Sequence, residues 1–303
     1  MDTSDWVVLA SAERLDQARK SWEKTVWPVV EWPRDIDEGG DRLEDLFEGG
    51  RKGVAIFGGD ELVGSVVTAY WRRRKLGGHS LQLWPLDVGE ETLVARELGR
   101  FAESKKAVRA VVKGVEEWER RRMGTLKVTA STEAAAWYGF SFAAGWAYRV
   151  AKARAKARKG ATSLVAAAGG LARDTLVEEG GGQLALRVAV DHCAQADEQG
   201  SMVASTLGQT YFGLGAEGEA AVLWQELATP TLMRQAMTPQ ALKRFQSGGR
   251  SFESLHLDTP QGWVLDGRLH GGGDSGIVQV TPGPTVDLVW PRGGLVSRVR
   301  RLV

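Results

Sequence analysis

Cysteine is nearly absent: Cys193 is the only one in 303 residues. No internal disulfide can therefore brace the fold, and a reducing, cytoplasmic setting is the expectation. An excess of either charge is missing too. The 39 basic and 38 acidic residues leave a net charge of +1, so no global field draws the chain to nucleic acid or to an anionic membrane. Any such partner would need a local patch. Long hydrophobic runs are also lacking. The most apolar late stretch, Ala161–Ala172, is short, rich in alanine and glycine and flanked by charge, which excludes a bilayer span. Met1–Asp5 carries acids and no basic segment, so a secretory signal is not expected. The four histidines, His79, His192, His256 and His270, have no spacing to cysteine or acids that suggests zinc. Neither Gly-x-Ser-x-Gly nor a Cys/His hydrolase arrangement occurs.

What remains is ordinary folded composition, 43% hydrophobic and 25% charged, with 38 glycines and 12 tryptophans as its unusual features. The glycines fall in clusters that read as turns between many short elements. In the first 120 residues or so, strands and helices alternate. Trp6–Ala10 reads as a strand and Ser11–Trp22 as a helix, with a second strand at Val26–Val30 interrupted by Pro28. A short helix is expected over Asp41–Phe47, ending at Gly49 and Gly50. Val54–Phe57 has the unbroken apolar character of a buried parallel strand. Helix Glu61–Trp71, strand Leu81–Trp84 and helix Thr92–Val115 follow. This order predicts a doubly wound parallel α/β domain.

The rest is β-rich. Strands are expected at Leu126–Ala130, Leu184–Val190, Met202–Thr206, Ser254–Leu257, Trp263–Leu265, Ile277–Val280 and Val286–Trp290, with helices at Ala147–Lys159 and Thr231–Gln246. The division is an α/β domain over 1–124 and a β-sandwich-like domain over 125–303. The last strand or the C-terminal tail is free to return to the first domain.

The chemistry-bearing segment is Val54–Val67, VAIFGGDELVGSVV. A strand running through Gly58-Gly59-Asp60 into a helix suits a phosphate: glycines admit close backbone approach, and the helix start offers amides and a favourable dipole. The same residues also make a plain strand-to-helix turn, with an acid favouring the dipole. A second segment, Leu81–Gly99 (LQLWPLDVGEETLVARELG), follows. Together these resemble the diacylglycerol and sphingosine kinases and the related NAD kinases, in which Gly-Gly-Asp-Gly-Thr is followed, in the lipid kinases, by Pro-Leu-Gly-Thr-Gly-Asn-Asp and Ala-Arg-x-Leu-Gly. Pro85, Leu86, Gly89, Ala95, Arg96, Leu98 and Gly99 keep that order. Tyr138–Val150, with Gly145, Trp146 and Ala147, is similar to the segment entering the family's second domain. Thr210–Ala216 resembles a glycine-rich strand end, and Asp266-Gly267 matches a late Asp-Gly-Glu turn.

The resemblance implies nucleotide approach at Gly58, Gly59, Asp60 and Gly89, with Asp60 as general base or metal-linked carboxylate. Glu90 and Glu91 are candidate metal ligands, although the reading as first-turn helix acids is preferred. Asp266 and Gly267 form the second-domain motif. ATP and magnesium would be the cofactors of an active lipid kinase, with a lipid held in a cleft between the domains. A degenerate, lipid- or partner-binding protein would need no cofactor. The departures favour degeneracy. The family's Asn-Pro-x-Ser-Gly is replaced at Leu9–Leu15 by LASAERL. Glu61 and Leu62 stand for Gly-Thr, placing a carboxylate near any triphosphate. Asp87, Glu90 and Glu91 add acids to the second motif, and Arg268 replaces the late acid. The basic run Arg149–Lys159 is either a solvated helix face or a peripheral contact with anionic lipid.

Overall fold

The computed structural model describes residues 5–73, 80–88, 92–98, 104–115, 117–145, 147–149, 151–152, 155, 186–191, 193–199, 201–207, 252–259, 261–271 and 276–292. It divides into two compact units, Met1–Met123 with Thr285–Val303, and Gly124–Pro284.

The first unit is built on parallel strands. β1 (Trp6–Ala10) and β3 (Gly53–Phe57) are buried along their whole length, as expected when both sheet faces are covered and no polar face is needed. They pair in parallel from Trp6 opposite Gly53 to Ala10 opposite Phe57. β2 (Val29–Glu31) lies on the outer side of β1, and β4 (Gln82–Leu86) on the far side of β3. The end of β14 (Ile277–Pro291) joins beyond β4, with Asp287 opposite Gln82. The sheet order is thus β2-β1-β3-β4-β14, and the expected parallel α/β core stands.

The helices depart from their expected limits for local reasons. The stretch expected as one helix from Ser11 opens with a 3-10 turn, Ala12–Arg14, before α1 (Leu15–Trp22). α2 runs over Ile36–Glu48, more than a turn longer than expected. Gly39 and Gly40 conceal its beginning, because interior glycine disfavours a helix by about 1 kcal/mol. Here both are needed for packing: a Cβ on Gly39 would meet the Trp32 ring at 2.5 Å, and one on Gly40 the Arg73 side chain at 2.5 Å. Asp35 fixes the start by accepting the Asp37 and Glu38 amides at 2.8 and 3.0 Å. α3 covers Asp60–Arg72. The expected single helix from Thr92 contains two, α4 (Leu93–Glu97) and α5 (Ser104–Lys113).

Tryptophan supplies much of this unit's core. Trp22, Trp27, Trp6 and Trp118 form a stacked cluster: the Trp22–Trp27, Trp27–Trp6 and Trp6–Trp118 ring centroids are 5.3, 5.3 and 4.8 Å apart with planes within 13° of parallel, and Trp118 also lies 6.4 Å from Trp27. Trp84 meets each of them edge-on at 5.6 to 6.5 Å. Such geometry adds about 0.5–1.5 kcal/mol per pair to the burial itself. The cluster needs a bare backbone at Gly53: a Cβ there would lie 2.5 Å from the Trp6 ring. Gly53→Ala should therefore cost about 1–3 kcal/mol by overpacking. Gly271→Ala, whose methyl would enter open space, should cost far less. Urea midpoints of the two variants test the difference.

Asp287 on β14 is a buried acid with cationic partners. It accepts from Ser80 Oγ at 2.6 Å and from the Arg120 guanidinium, and Arg122 Nε lies 3.9 Å away. Burial works to raise this carboxyl, but the hydrogen bonds from Arg120 and Ser80 and the two arginine charges outweigh it, holding its pKa below the ordinary carboxylate value. A group that titrates lower in the folded state contributes its full stability above the unfolded pKa of about 4, and loses it as pH falls through the folded value. The urea midpoint should fall between about pH 5 and pH 2 in the wild type, and less steeply in Arg120→Ala.

The second unit is antiparallel. Its strands are the Gly124–Ala130 part of β5 (Trp118–Ala130), β6 (Trp137–Gly139), β7 (Ser141–Gly145), β8 (Leu186–Val190), β9 (Cys193–Gln199), β10 (Ser201–Ser205), β11 (Leu255–Asp258), β12 (Gly262–Leu265), β13 (Arg268–Gly271) and the start of β14. One sheet is ordered β10-β7-β12-β13, and a second ladder runs β9-β8-β11-β14. Phe142, Met202 and Trp263 from the first share a core with Val188, Leu255, Leu257, Val278 and Val280 from the second. Alternating inward side chains give a sandwich. The expected strands Ile277–Val280 and Val286–Trp290 prove to be one, β14. Pro282 and Pro284 suggest a break, yet residues two apart face the same side, so only that side lacks donors. Between them, a Cβ on Gly283 would stand 3.1 Å from the Leu126 backbone, and Thr125 Oγ1 donates to the Pro284 carbonyl at 2.6 Å. Helix Thr231–Gln246, segment Thr210–Ala216 and most of Arg149–Lys159 lie outside the described residues. Among the described residues no helix is long and apolar enough to cross a membrane.

Candidate functional site

The Gly58-Gly59-Asp60 turn leaves the carboxyl end of β3 and opens α3. Asp60 is 2% exposed. Its Oδ2 accepts the Leu93 amide at 2.6 Å and its Oδ1 the Val94 amide at 3.0 Å. Both oxygens thus cap the first turn of α4, satisfying amides that a helix start leaves without intrahelical acceptors. Gly58 has a packing role: a Cβ there would meet Leu62 Cδ2 at 2.5 Å, so Leu62 fills the space above the glycine. The Gly59 carbonyl accepts the Leu62 and Val63 amides at 3.0 and 3.3 Å and starts α3.

Two further ties cross this edge of the sheet. Arg14, in the turn after β1, donates from Nη1 to the Val88 carbonyl, after β4, at 2.7 Å. Because β3 lies between β1 and β4, this bond links the loops flanking the β3 turn. Thr92 Oγ1 donates to Asp87 Oδ1 at 2.8 Å, joining the two sides of the segment that carries Gly89, Glu90 and Glu91. Those three lie outside the described residues. Sequence reasoning missed Arg14: one base in LASAERL gives no sign of a partner 74 residues away. Among the described residues no three His, Cys, Asp or Glu side chains gather as a metal group.

The second-domain motif is a hairpin turn. Asp266 and Gly267 have φ of 48° and 86°, as a two-residue Asp-Gly connection with the strand-matching twist requires. The Asp266 side chain is itself buried, at 1% exposure. It accepts the Phe140 amide at 2.9 and 3.0 Å and the Ser141 amide at 2.8 Å, while the Asp266 amide donates to the Ser141 carbonyl at 2.8 Å. The turn between β12 and β13 is thereby fastened to the junction of β6 and β7. Arg268, standing where the late acid was expected, lies over the Trp137 ring at 4.8 Å. Beside it, His270 Nδ1 and Glu133 Oε1 are 2.9 Å apart, and the imidazole stacks on Trp263 at 3.6 Å.

No protein-family model matches the sequence, and no curated protein matches it. Solved structures do. A diacylglycerol kinase from Bacillus anthracis matches with a TM-score of 0.53 over 96% of this chain and 98% of that one, at 11% identity. An NAD kinase from Archaeoglobus fulgidus, in complex with ATP, matches with a TM-score of 0.50 over 97% and 98%, at 10% identity. The chain has a diacylglycerol kinase-type fold. That fold, shared with NAD kinase, accounts for a parallel α/β core accompanied by a β-rich unit. At this identity, the likeness establishes architecture, and chemistry has to be argued from the side chains.

A nucleotide with its cation asks three things of this kinase-type edge: open backbone at the glycines, an acid free to face a metal or hydroxyl, and no excess negative charge. Leu62 covers Gly58, the two Asp60 oxygens face α4 amides, and Glu61 and Asp87 add charge. Among the described residues, the side chains here do not fit that group.

Proposed function

We propose that this chain is a lipid-kinase-fold protein that has given up phosphoryl transfer and serves as a lipid- or partner-binding module. The observation that supports it best is Asp60. The acid that the resemblance assigns to base or metal-linked work has both oxygens engaged by the Leu93 and Val94 amides, and recruiting it for catalysis would uncap α4. Leu62 over Gly58 and the substituted loop after β1 support the same reading. ATP and magnesium would be the cofactors of an active relative, and this reading assigns them no role here. The test is transfer from labelled ATP, with magnesium, to mixed-lipid vesicles containing diacylglycerol. No labelled lipid above an enzyme-free control is expected; lipid labelling that scales with protein concentration overturns the proposal.

A further inference from the structure

α5 differs in charge from the other described helices. Ser104–Lys113 carries Lys105, Lys106, Arg109 and Lys113 and no acid. Ala107 and Val111 are buried and attach it to the unit. Lys105, Arg109, Val112 and Lys113 are exposed, and their spacing of four, three and one places them on one side of the helix. Val112 is among the few exposed large hydrophobics of the described residues, at 54%. α1 packs beside α5 and adds exposed Arg19 and Lys20 against exposed Asp16. Gly114, at φ +81°, ends α5 and leaves Lys113 in the last turn, where a cation also suits the helix dipole.

We infer that the outward face of α5 is a docking surface for an anionic lipid bilayer. Cations surrounding one projecting aliphatic side chain match a surface of negative headgroups above an apolar layer: the charges draw the helix down and Val112 enters the boundary. The near-neutral net charge of the chain makes the patch local, so binding is oriented. An acidic peptide would meet the charges but would give Val112 no apolar layer to enter. The proposal rests on the lipid-binding part of the reading above and places the membrane contact on α5 instead of Arg149–Lys159.

The test is co-sedimentation of the full chain with phosphatidylglycerol–phosphatidylcholine vesicles and with phosphatidylcholine vesicles, without nucleotide. Binding is expected to the first only and should be lost in about 0.5 M salt, where screening lengths fall to a few ångströms. Each of Lys105→Ala, Arg109→Ala and Lys113→Ala should weaken partitioning about fivefold, and the triple variant about a hundredfold. Val112→Asp should weaken it as well. All these positions are exposed, so circular dichroism should remain that of the wild type. Absence of wild-type binding overturns the proposal. So does binding that survives the triple variant but is lost in Lys156→Glu/Lys159→Glu. Because no nucleotide is present, failure here leaves the question of phosphoryl transfer untouched.

Discussion

Asp60→Ala should lower the unfolding free energy by about 3 kcal/mol, because it removes two charge-assisted hydrogen bonds and leaves the Leu93 and Val94 amides buried without that acceptor. For a chain of this size that corresponds to a fall of roughly 5 °C in melting temperature. Asp60→Asn should recover only part of the loss, since one of its two ends donates and would face a donor. The effect should be local in origin: amide exchange should accelerate most across 92–98, the segment the carboxylate holds. An Asp60→Ala variant that melts like the wild type would remove the structural role on which the functional reading leans.

The second large effect belongs to Asp266→Ala. That substitution strips the acceptor from the Phe140 and Ser141 amides and leaves alanine at φ 48°, a left-handed conformation that aspartate tolerates better. Together these should cost about 3–4 kcal/mol. Asp266→Asn, which keeps the backbone preference and one acceptor, should lose roughly half as much. Gly267→Ala strains only the turn, at φ 86°, and should cost about 1–2 kcal/mol. Urea unfolding of the three variants gives the order, and a loss in Asp266→Ala no larger than in Gly267→Ala would show that the carboxylate contributes nothing beyond the turn.

How far these features could be read from sequence follows from how local they are. β1 and β3 were legible because a strand buried on both faces writes itself as an unbroken apolar run, WVVLA or VAIF. The Asp266-Gly267 turn was legible because its positive φ restricts what can stand there, and Gly58-Gly59 because glycines between an apolar run and a helix start mark a turn. From sequence α2 looks shorter than it is because Gly39 and Gly40 oppose a helix locally, whereas the close packing of Trp32 and Arg73 against them appears only in the fold. Pro282 and Pro284 make β14 read as two strands because the one-sided loss of donors is visible only once the neighbouring strands are placed. The uses of the side chains were hidden for a related reason. Asp60 meets amides 33 and 34 residues on, Arg14 meets a carbonyl 74 residues on, and Asp266 meets amides 125 and 126 residues back. A motif names the acid but does not say what occupies its oxygens. The tryptophan count was plain, whereas the cluster of Trp22, Trp27, Trp6 and Trp118 exists only after α1, β1, β5 and the loop before β2 have packed.

The most direct test of the central claim is thermal melting of the wild type and Asp60→Ala with and without millimolar ATP and magnesium. The account predicts that neither protein shifts with nucleotide and that the two differ only by the stability lost with the carboxylate. A ligand at 100 times its dissociation constant would stabilise the fold by about 2.7 kcal/mol. A magnesium-dependent rise of that order in the wild type, absent in Asp60→Ala, would contradict the account and return Asp60 to nucleotide chemistry.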